Sequence, residues 1–175
     1  TNCRVCGFNG LVPLLSLGEL YVSDFLDEGV AERGIKAPLE LVLCNEKDGG
    51  CGLVQLRHTV SDEAMYLNYW YRSGVNKSMQ DELADIVNKV ESVISLKEGD
   101  FVIDIGSNDS TLLRFYKISN LNTVGFEPAR NLVQKYGLKG VTKVITDFFS
   151  FNVWQKEYGD KKAKVITAIA MFYDL

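Results

Sequence analysis

Apolar positions along this chain follow two different rhythms, and the change falls near residue 100. Before it, short apolar runs at residues 14–20 and 39–44 are fenced by Pro13, Gly18, Pro38 and Gly49, the punctuation of a small sheet with tight turns. Residues 61–67 read as a short helix, followed by an aromatic connector of Asn68, Tyr69, Trp70, Tyr71, Arg72, Ser73 and Gly74. From Ser78, with Asp81 three residues on as a capping partner, Met79, Leu83, Ile86, Val87, Val90 and Ile94 recur on one face of a helix closed by Gly99. Beyond it, apolar strands expected at residues 101–105, 123–126, 142–145 and 163–170 alternate with helices near 111–119 and 128–136. That alternation requires crossover connections, and hence an α/β fold with a Rossmann-like parallel sheet. Doubly wound sheets usually continue past a fourth strand, so the expected sheet is half of one. The organisation predicted is a small β-rich domain over residues 1–70, a connector and helix over 71–99, and the N-terminal half of the Rossmann-like domain over 100–175; there is no internal repeat.

Composition narrows the partners. The 175 residues are 46% apolar and 24% charged, and a chain of this size can withdraw roughly 70% of its unfolded surface from water. With 19 basic against 23 acidic groups, a net charge of −4 and no basic block, nothing supplies the phosphate neutralisation that nucleic acid requires. The most apolar stretch, residues 163–172, contains Lys164 and is shorter than the ~18 residues of a membrane span. No signal or transit pattern opens the chain, so a cytoplasmic address without a membrane partner is expected. The missing initiator Met and the uncapped end lead us to expect a trimmed chain, and nothing fixes its oligomeric state.

All four cysteines, Cys3, Cys6, Cys44 and Cys51, lie in the first third. Clustered thiols in a reducing compartment are more often metal ligands than disulfides, and Cys3-Arg4-Val5-Cys6-Gly7 has the spacing of a zinc knuckle. The second pair is separated by six residues, although Gly49 and Gly50 supply the turn that returns Cys51. Structural zinc on all four is the first reading, with buried reduced thiols or a redox pair as the others. A closed four-thiolate site leaves no open coordination position, so its zinc staples a domain and does no chemistry. His58, the one histidine, reads as a surface residue at a strand end.

The first strand-to-helix turn, Asp104-Ile105-Gly106-Ser107-Asn108-Asp109-Ser110-Thr111, departs from a dinucleotide fingerprint. Only Gly106 matches; Asn108 and Thr111 occupy the other glycine places, and Asp109 sets a carboxylate where a pyrophosphate would lie. Asp104, Glu127 and Asp147 instead gather at strand ends, on the edge where such sheets bind ligands. Glu127 lies 21 residues beyond Gly106, the spacing at which a carboxylate takes ribose hydroxyls. A cationic nucleoside suits that edge. S-adenosylmethionine carries a sulfonium, an ammonium and no phosphate: Asp104 would face its amino group, Glu127 the ribose, and Asp147 the adenine amino group, with Phe148 or Phe149 against the ring. Plainer readings stand beside these. Glu127 and Pro128 also suit a helix start, Asp147 a turn, Phe148 a core, and Asp104 a buried acceptor.

The ordered combination of Cys-Arg-Val-Cys-Gly, Cys51-Gly52-Leu53-Val54-Gln55-Leu56, Tyr71-Arg72-Ser73-Gly74, Asp-Ile-Gly-Ser-Asn-Asp and Val124-Gly125-Phe126-Glu127-Pro128-Ala129 resembles the zinc-containing, S-adenosylmethionine-dependent C-methyltransferases of nucleotide-linked deoxysugars. The resemblance runs over essentially the whole chain. It implies a class I methyltransferase sheet truncated after strand four, structural zinc on the four cysteines, and a methionine-binding loop of Asp104, Gly106, Ser107 and Asn108. It further implies Glu127, followed by Pro128, as the ribose clamp, with Tyr71 and Arg72 near the cofactor or a small-molecule nucleotide-sugar substrate. The family usually has two residues between its second pair of cysteines and glycine where this chain has Ser110. Ser110 would crowd the carboxylate end of the cofactor or cap a helix at Thr111. Family members are longer, with a second lobe that supplies the general base, so this chain by itself is expected to be inactive. The other class of reading is a non-catalytic, zinc-stapled nucleoside-binding or scaffold module.

Overall fold

The computed structural model describes residues 2–22 and 34–172, so the ends of the first and last predicted segments and residues 23–33 lie outside the described residues. The chain divides into two compact units, Thr1–Met65 and Tyr66–Leu175.

The first unit is a three-stranded antiparallel sheet in the order β1 (Leu11–Tyr21), β2 (Lys36–Cys44), β3 (Val54–Leu56). Both apolar runs fall in these strands. Pro13 and Gly18 lie at two register shifts of β1, as expected where a ladder loses a donor or bends. Helix α1 (Asp62–Tyr66) follows.

In the second unit α2 (Lys77–Val93) precedes a parallel sheet of β4 (Phe101–Ile105), β5 (Asn122–Phe126), β6 (Lys143–Ile145) and β7 (Ala163–Ala168). The spatial order β6-β5-β4-β7 reverses direction between β4 and β7, which makes their carboxyl ends the switch point of the sheet. Side chains of β4 alternate. Val102 packs with Leu83, Val87, Leu112 and Leu113, while Phe101, Ile103 and Ile105 pack with Phe126, Ile145 and Trp154. Two apolar layers therefore hold β4 between them and fix the loop that leaves it.

The strand expectations hold within a few residues, and the helices differ more. α2 is capped by Asn76, whose Oδ1 accepts the Ser78 N–H (3.0 Å) and hydroxyl (2.7 Å), not by Ser78 itself. It ends at Val93, before Gly99, because Ile94 turns extended and joins Leu96 against the core. Residues 111–119 hold only a 3-10 turn, Leu113–Phe115. Asn108 (φ 54) and Ser110 (φ 63) break the α path, and the Arg114 guanidinium takes the Asp109 carbonyl (2.7 Å) that a helical N–H would need. The helix expected at residues 128–136 is α3 (Arg130–Leu132) running into a π-turn, Val133–Gly137. Sequence reading missed α4 (Phe151–Tyr158), although Ser150 caps it through the Val153 N–H (3.2 Å) and Gly159 ends it. Among the described residues no helix is long and apolar enough to cross a membrane.

Candidate metal centre and cofactor site

The four thiols converge. Cys3 Sγ lies 3.6 Å from Cys51 Sγ, Cys6 Sγ lies 3.5 Å from Cys44 Sγ, and all four sulfurs fall within 4.8 Å of one another. Zn–S bonds of ~2.3 Å set tetrahedral S···S separations of roughly 3.8 Å, whereas a disulfide needs ~2.05 Å. The separations therefore fit a metal and not a bridge. In the first knuckle Gly7 adopts φ 76 and donates its N–H to Cys3 O (3.0 Å), while Cys3 N–H goes to Phe8 O (2.8 Å). The longer second gap is absorbed by a 3-10 turn, Glu46–Asp48, capped by Asn45. Gly49 (φ 92) and Gly52 (φ 80) then return the chain, and the Cys51 N–H donates to Cys44 Sγ at 3.2 Å. Gly50 is required by space: a Cβ there would lie 2.6 Å from Cys44 Sγ.

Gln55, which sequence reading passed over, holds this cluster from β3. It is buried, accepts the Arg4 N–H at 2.9 Å and donates to Asn2 O at 3.4 Å. The backbone N–H of Cys6, the strongest influence, and that of Val5 outweigh burial and bring the Cys3 thiol down to about 6. Burial drives Cys44 up to about 12. Metal binding to this set therefore displaces protons, Cys44 most reluctantly. His58 is exposed and lies beside Glu40, 3.5 Å away, as a surface residue.

The second cluster surrounds the turn after β4. Gly106 adopts φ 67, and a Cβ on it would lie 3.0 Å from Met171 Cγ. Ser107 donates its N–H to Phe126 O (2.9 Å), and its buried hydroxyl, without a hydrogen-bond partner, faces Gly125, where a Cβ would meet it at 2.4 Å. Asn108, in the left-handed region, gives its backbone N–H to Glu127 Oε2 at 2.7 Å. Glu127 Oε1 accepts the Ala129 N–H at 2.8 Å. Glu127 is buried, and burial raises its pKa against the pull of the Ala129 and Asn108 amides. Pro128 precedes Ala129, the N-cap of α3, so the helix starts later than a Pro128 start would place it.

Asp104 is buried beside β7. Its Oδ1 accepts the Thr167 hydroxyl of β7 at 2.6 Å, and burial pushes its carboxyl up to about 7, with the Glu127 charge adding to the rise. Asp147 is exposed and accepts the Phe148 N–H at 2.8 Å. Phe149 packs edge-on against Phe126 with centroids 5.0 Å apart, and Phe148 and Phe149 are both half-buried.

The connector is tied to this turn. Asn108 Nδ2 donates to Tyr71 O (3.0 Å) and its Oδ1 accepts the Ser73 N–H (2.9 Å). The Arg72 guanidinium stacks 3.5 Å from the Tyr136 ring centroid. Asp109, read from sequence only as an obstacle to phosphate, is fully buried and is the hub: it accepts the Gly74 N–H (3.0 Å) and Thr111 hydroxyl (2.6 Å) and pairs with Arg72 (3.5 Å). The structure thus gathers Tyr71, Asn108 and Glu127 by hydrogen bonds, with Arg72 joined to them through its ion pair with Asp109. Ser110 caps nothing, since its Oγ is buried without a hydrogen-bond partner.

Residues 3–66 match the Methyltransf_13 family described as "Putative zinc binding domain". Over 149 residues the chain is 29% identical to C-methyltransferase NovU of Streptomyces niveus, a match that covers 84% of this chain and 34% of that protein. The chain thus spans about a third of the length of this curated relative. Among solved structures, mycolic acid cyclopropane synthase CmaA1 complexed with SAH and CTAB is similar at 16% identity and a TM-score of 0.37, over 61% of this chain and 40% of that one. The chain is therefore similar to a C-methyltransferase over most of its length, and its residues 3–66, which carry the four cysteines, match a zinc-binding domain model.

Proposed function

We propose that this chain is the zinc-binding and cofactor-binding part of an S-adenosylmethionine-dependent C-methyltransferase acting on a nucleotide-linked deoxy-keto-sugar in the reducing cytoplasm. The observation that carries the cofactor reading is the turn after β4, which is lined with carboxylates and is not followed by a helix. Among the described residues between Gly106 and Leu121 only a three-residue 3-10 turn forms, so the helix N-terminus that holds a pyrophosphate is missing. Asp104 and Glu127 favour a cation in its place. Gly106 holds the turn at a positive φ with no Cβ, beside Met171.

When bound, S-adenosylmethionine supplies the electrophilic methyl. The residues of this chain bind and orient it. Each oxygen of Glu127 keeps acceptor capacity beyond the single amide it holds, and that capacity takes the ribose hydroxyls. Asp104, its carboxyl raised to about 7 by burial, adds negative charge beneath the methionine end as pH rises past that value. Tyr71 and Arg72 form the rim on the connector, and Asp147 with Phe148 forms the adenine side. The zinc site fixes the first unit and stays outside the chemistry.

Calorimetry with S-adenosylmethionine and with NAD tests this reading. Binding of the first alone, with at least a tenfold loss in Glu127→Ala at unchanged fold, is the expected result. NAD binding, or no binding of either, overturns it. The second outcome favours a non-catalytic scaffold module, a reading to which the prior engagement of both Glu127 oxygens by backbone amides lends weight.

A further inference from the structure

Asp109 is a buried carboxylate that the proposed chemistry does not use. It lies next in sequence to Asn108, and between them the two side chains bind each residue of the connector from 71 to 74. Asn108 takes Tyr71 O and the Ser73 N–H; Asp109 takes the Gly74 N–H and the Arg72 guanidinium. The connector is also pressed close: a Cβ on Gly74 would lie 2.7 Å from Asp109 Oδ2 and 2.6 Å from Thr111 Oγ1. Tyr136 covers the other face of Arg72, so the guanidinium has one posture, between a ring and a carboxylate. On the opposite side of the loop the Asn108 N–H is held by Glu127 Oε2 at 2.7 Å. Hydrogen bonds thus run from Glu127 through Asn108 to Tyr71 and Ser73, and Asp109, the next residue in the chain, extends the tie to Gly74 by a hydrogen bond and to Arg72 by an ion pair.

We propose that Asp109 is a positioning residue: it locks the connector onto the turn after β4, so that a cofactor gripping Glu127 orders Tyr71 and Arg72 at the same moment. The inference rests on the cofactor reading above. A ligand that takes Glu127 selects one conformation of the Asn108 turn, and residues 71–74, which Asn131 flanks at Tyr69 and Gln80 holds at Gly74 O, follow that turn through Asn108 and Asp109. Asp109 itself touches no cofactor. Its charge is matched by Arg72 at 3.5 Å and Arg114 at 3.9 Å, and its effect passes through the connector.

The test reads amide exchange at Ser73 and Gly74, together with the Arg72 Nε–H signal, by NMR on the full 175-residue chain with and without S-adenosylmethionine. Affinity is measured in parallel by calorimetry. In the parent chain the cofactor is expected to slow both amides about tenfold or more. In Asp109→Asn, which keeps the size and loses the charge, affinity should stay within about fivefold while the slowing at Gly74 disappears and the Arg72 signal collapses toward that of a solvated side chain. Gly74→Ala breaks the same lock from the connector side and serves if Asp109→Asn does not fold; the same loss is expected there. Binding without any slowing in the parent chain, or slowing that survives in both variants, overturns the proposal and leaves the cofactor reading standing. No binding by the parent chain overturns that reading, and this inference falls with it.

Discussion

Each of the two units coheres by its own means. Among the described residues, the first unit buries Cys3, Val42, Cys44 and Gln55 and leaves Leu14, Leu15, Leu17, Leu20 and Tyr21 of β1 exposed. The second sandwiches β4 between two apolar layers and buries the whole strand. A sheet with so little core gets its cohesion from four convergent sulfurs, whereas the parallel sheet needs no ion. Metal dependence and burial dependence should therefore separate cleanly within one chain.

The largest expected effect comes from chelation. Structural zinc in small domains contributes apparent binding free energies of about 10–16 kcal/mol. Removing it should abolish the antiparallel sheet, seen as loss of β-type circular dichroism and of the NMR dispersion of residues 34–58, and should leave the melting of the second unit within a degree or two. The mirror experiment is Phe126→Ala. That ring is fully buried, so truncation should cost about 3–5 kcal/mol of the second unit while zinc stoichiometry stays at one per chain. If chelation melts both units, or Phe126→Ala releases zinc, the separation is wrong.

Asp104 sharpens the contrast from the electrostatic side. Its carboxyl is raised from 3.8 to about 7 by burial, so the folded form binds the proton more tightly than the unfolded chain does. The second unit should lose stability as pH rises from about 4 to about 7 and level off above, by up to about 4 kcal/mol. Asp104→Asn should flatten that slope in denaturant titrations and make the unit more stable at pH 8. Under the proposed function the same variant binds S-adenosylmethionine more weakly.

Two smaller effects follow. Gly50→Ala drives a methyl group against Cys44 Sγ and should weaken zinc about 10–100-fold in a chelator competition. Ser110→Gly replaces a left-handed serine with a buried, unpartnered hydroxyl by the residue that suits φ 63; it should raise stability by about 1 kcal/mol in urea melts.

Much of this arrangement is legible in the sequence because period and spacing are local properties. The run from Phe101 to Ile105 reads as a strand, and four cysteines near paired glycines read as a metal site, without knowledge of the fold. What escaped depends on distant contacts. Residues 111–119 have helical spacing, yet Arg114 folds back onto the Asp109 carbonyl, a competition between side chain and backbone that no periodicity records. Asp109 looked like an obstacle to phosphate because its partners Arg72 and Gly74 lie more than thirty positions earlier. Gln55 was passed over because a polar residue in a three-residue strand is unremarkable until the Arg4 amide is placed against it. Ser150, four residues ahead of Trp154, is the one missed signal that was local, and α4 was there to be read.

The small turn built from Glu46, Lys47 and Asp48 changes how zinc knuckles should be sought. It hangs outside the sulfur cluster as a pendant, and the chain returns to the same geometry once it has passed. Gap length is therefore a poor guide to whether two cysteines share an ion. The flanking glycines, which set the angle of return, are the better guide, and a search keyed to them would accept loops of many lengths.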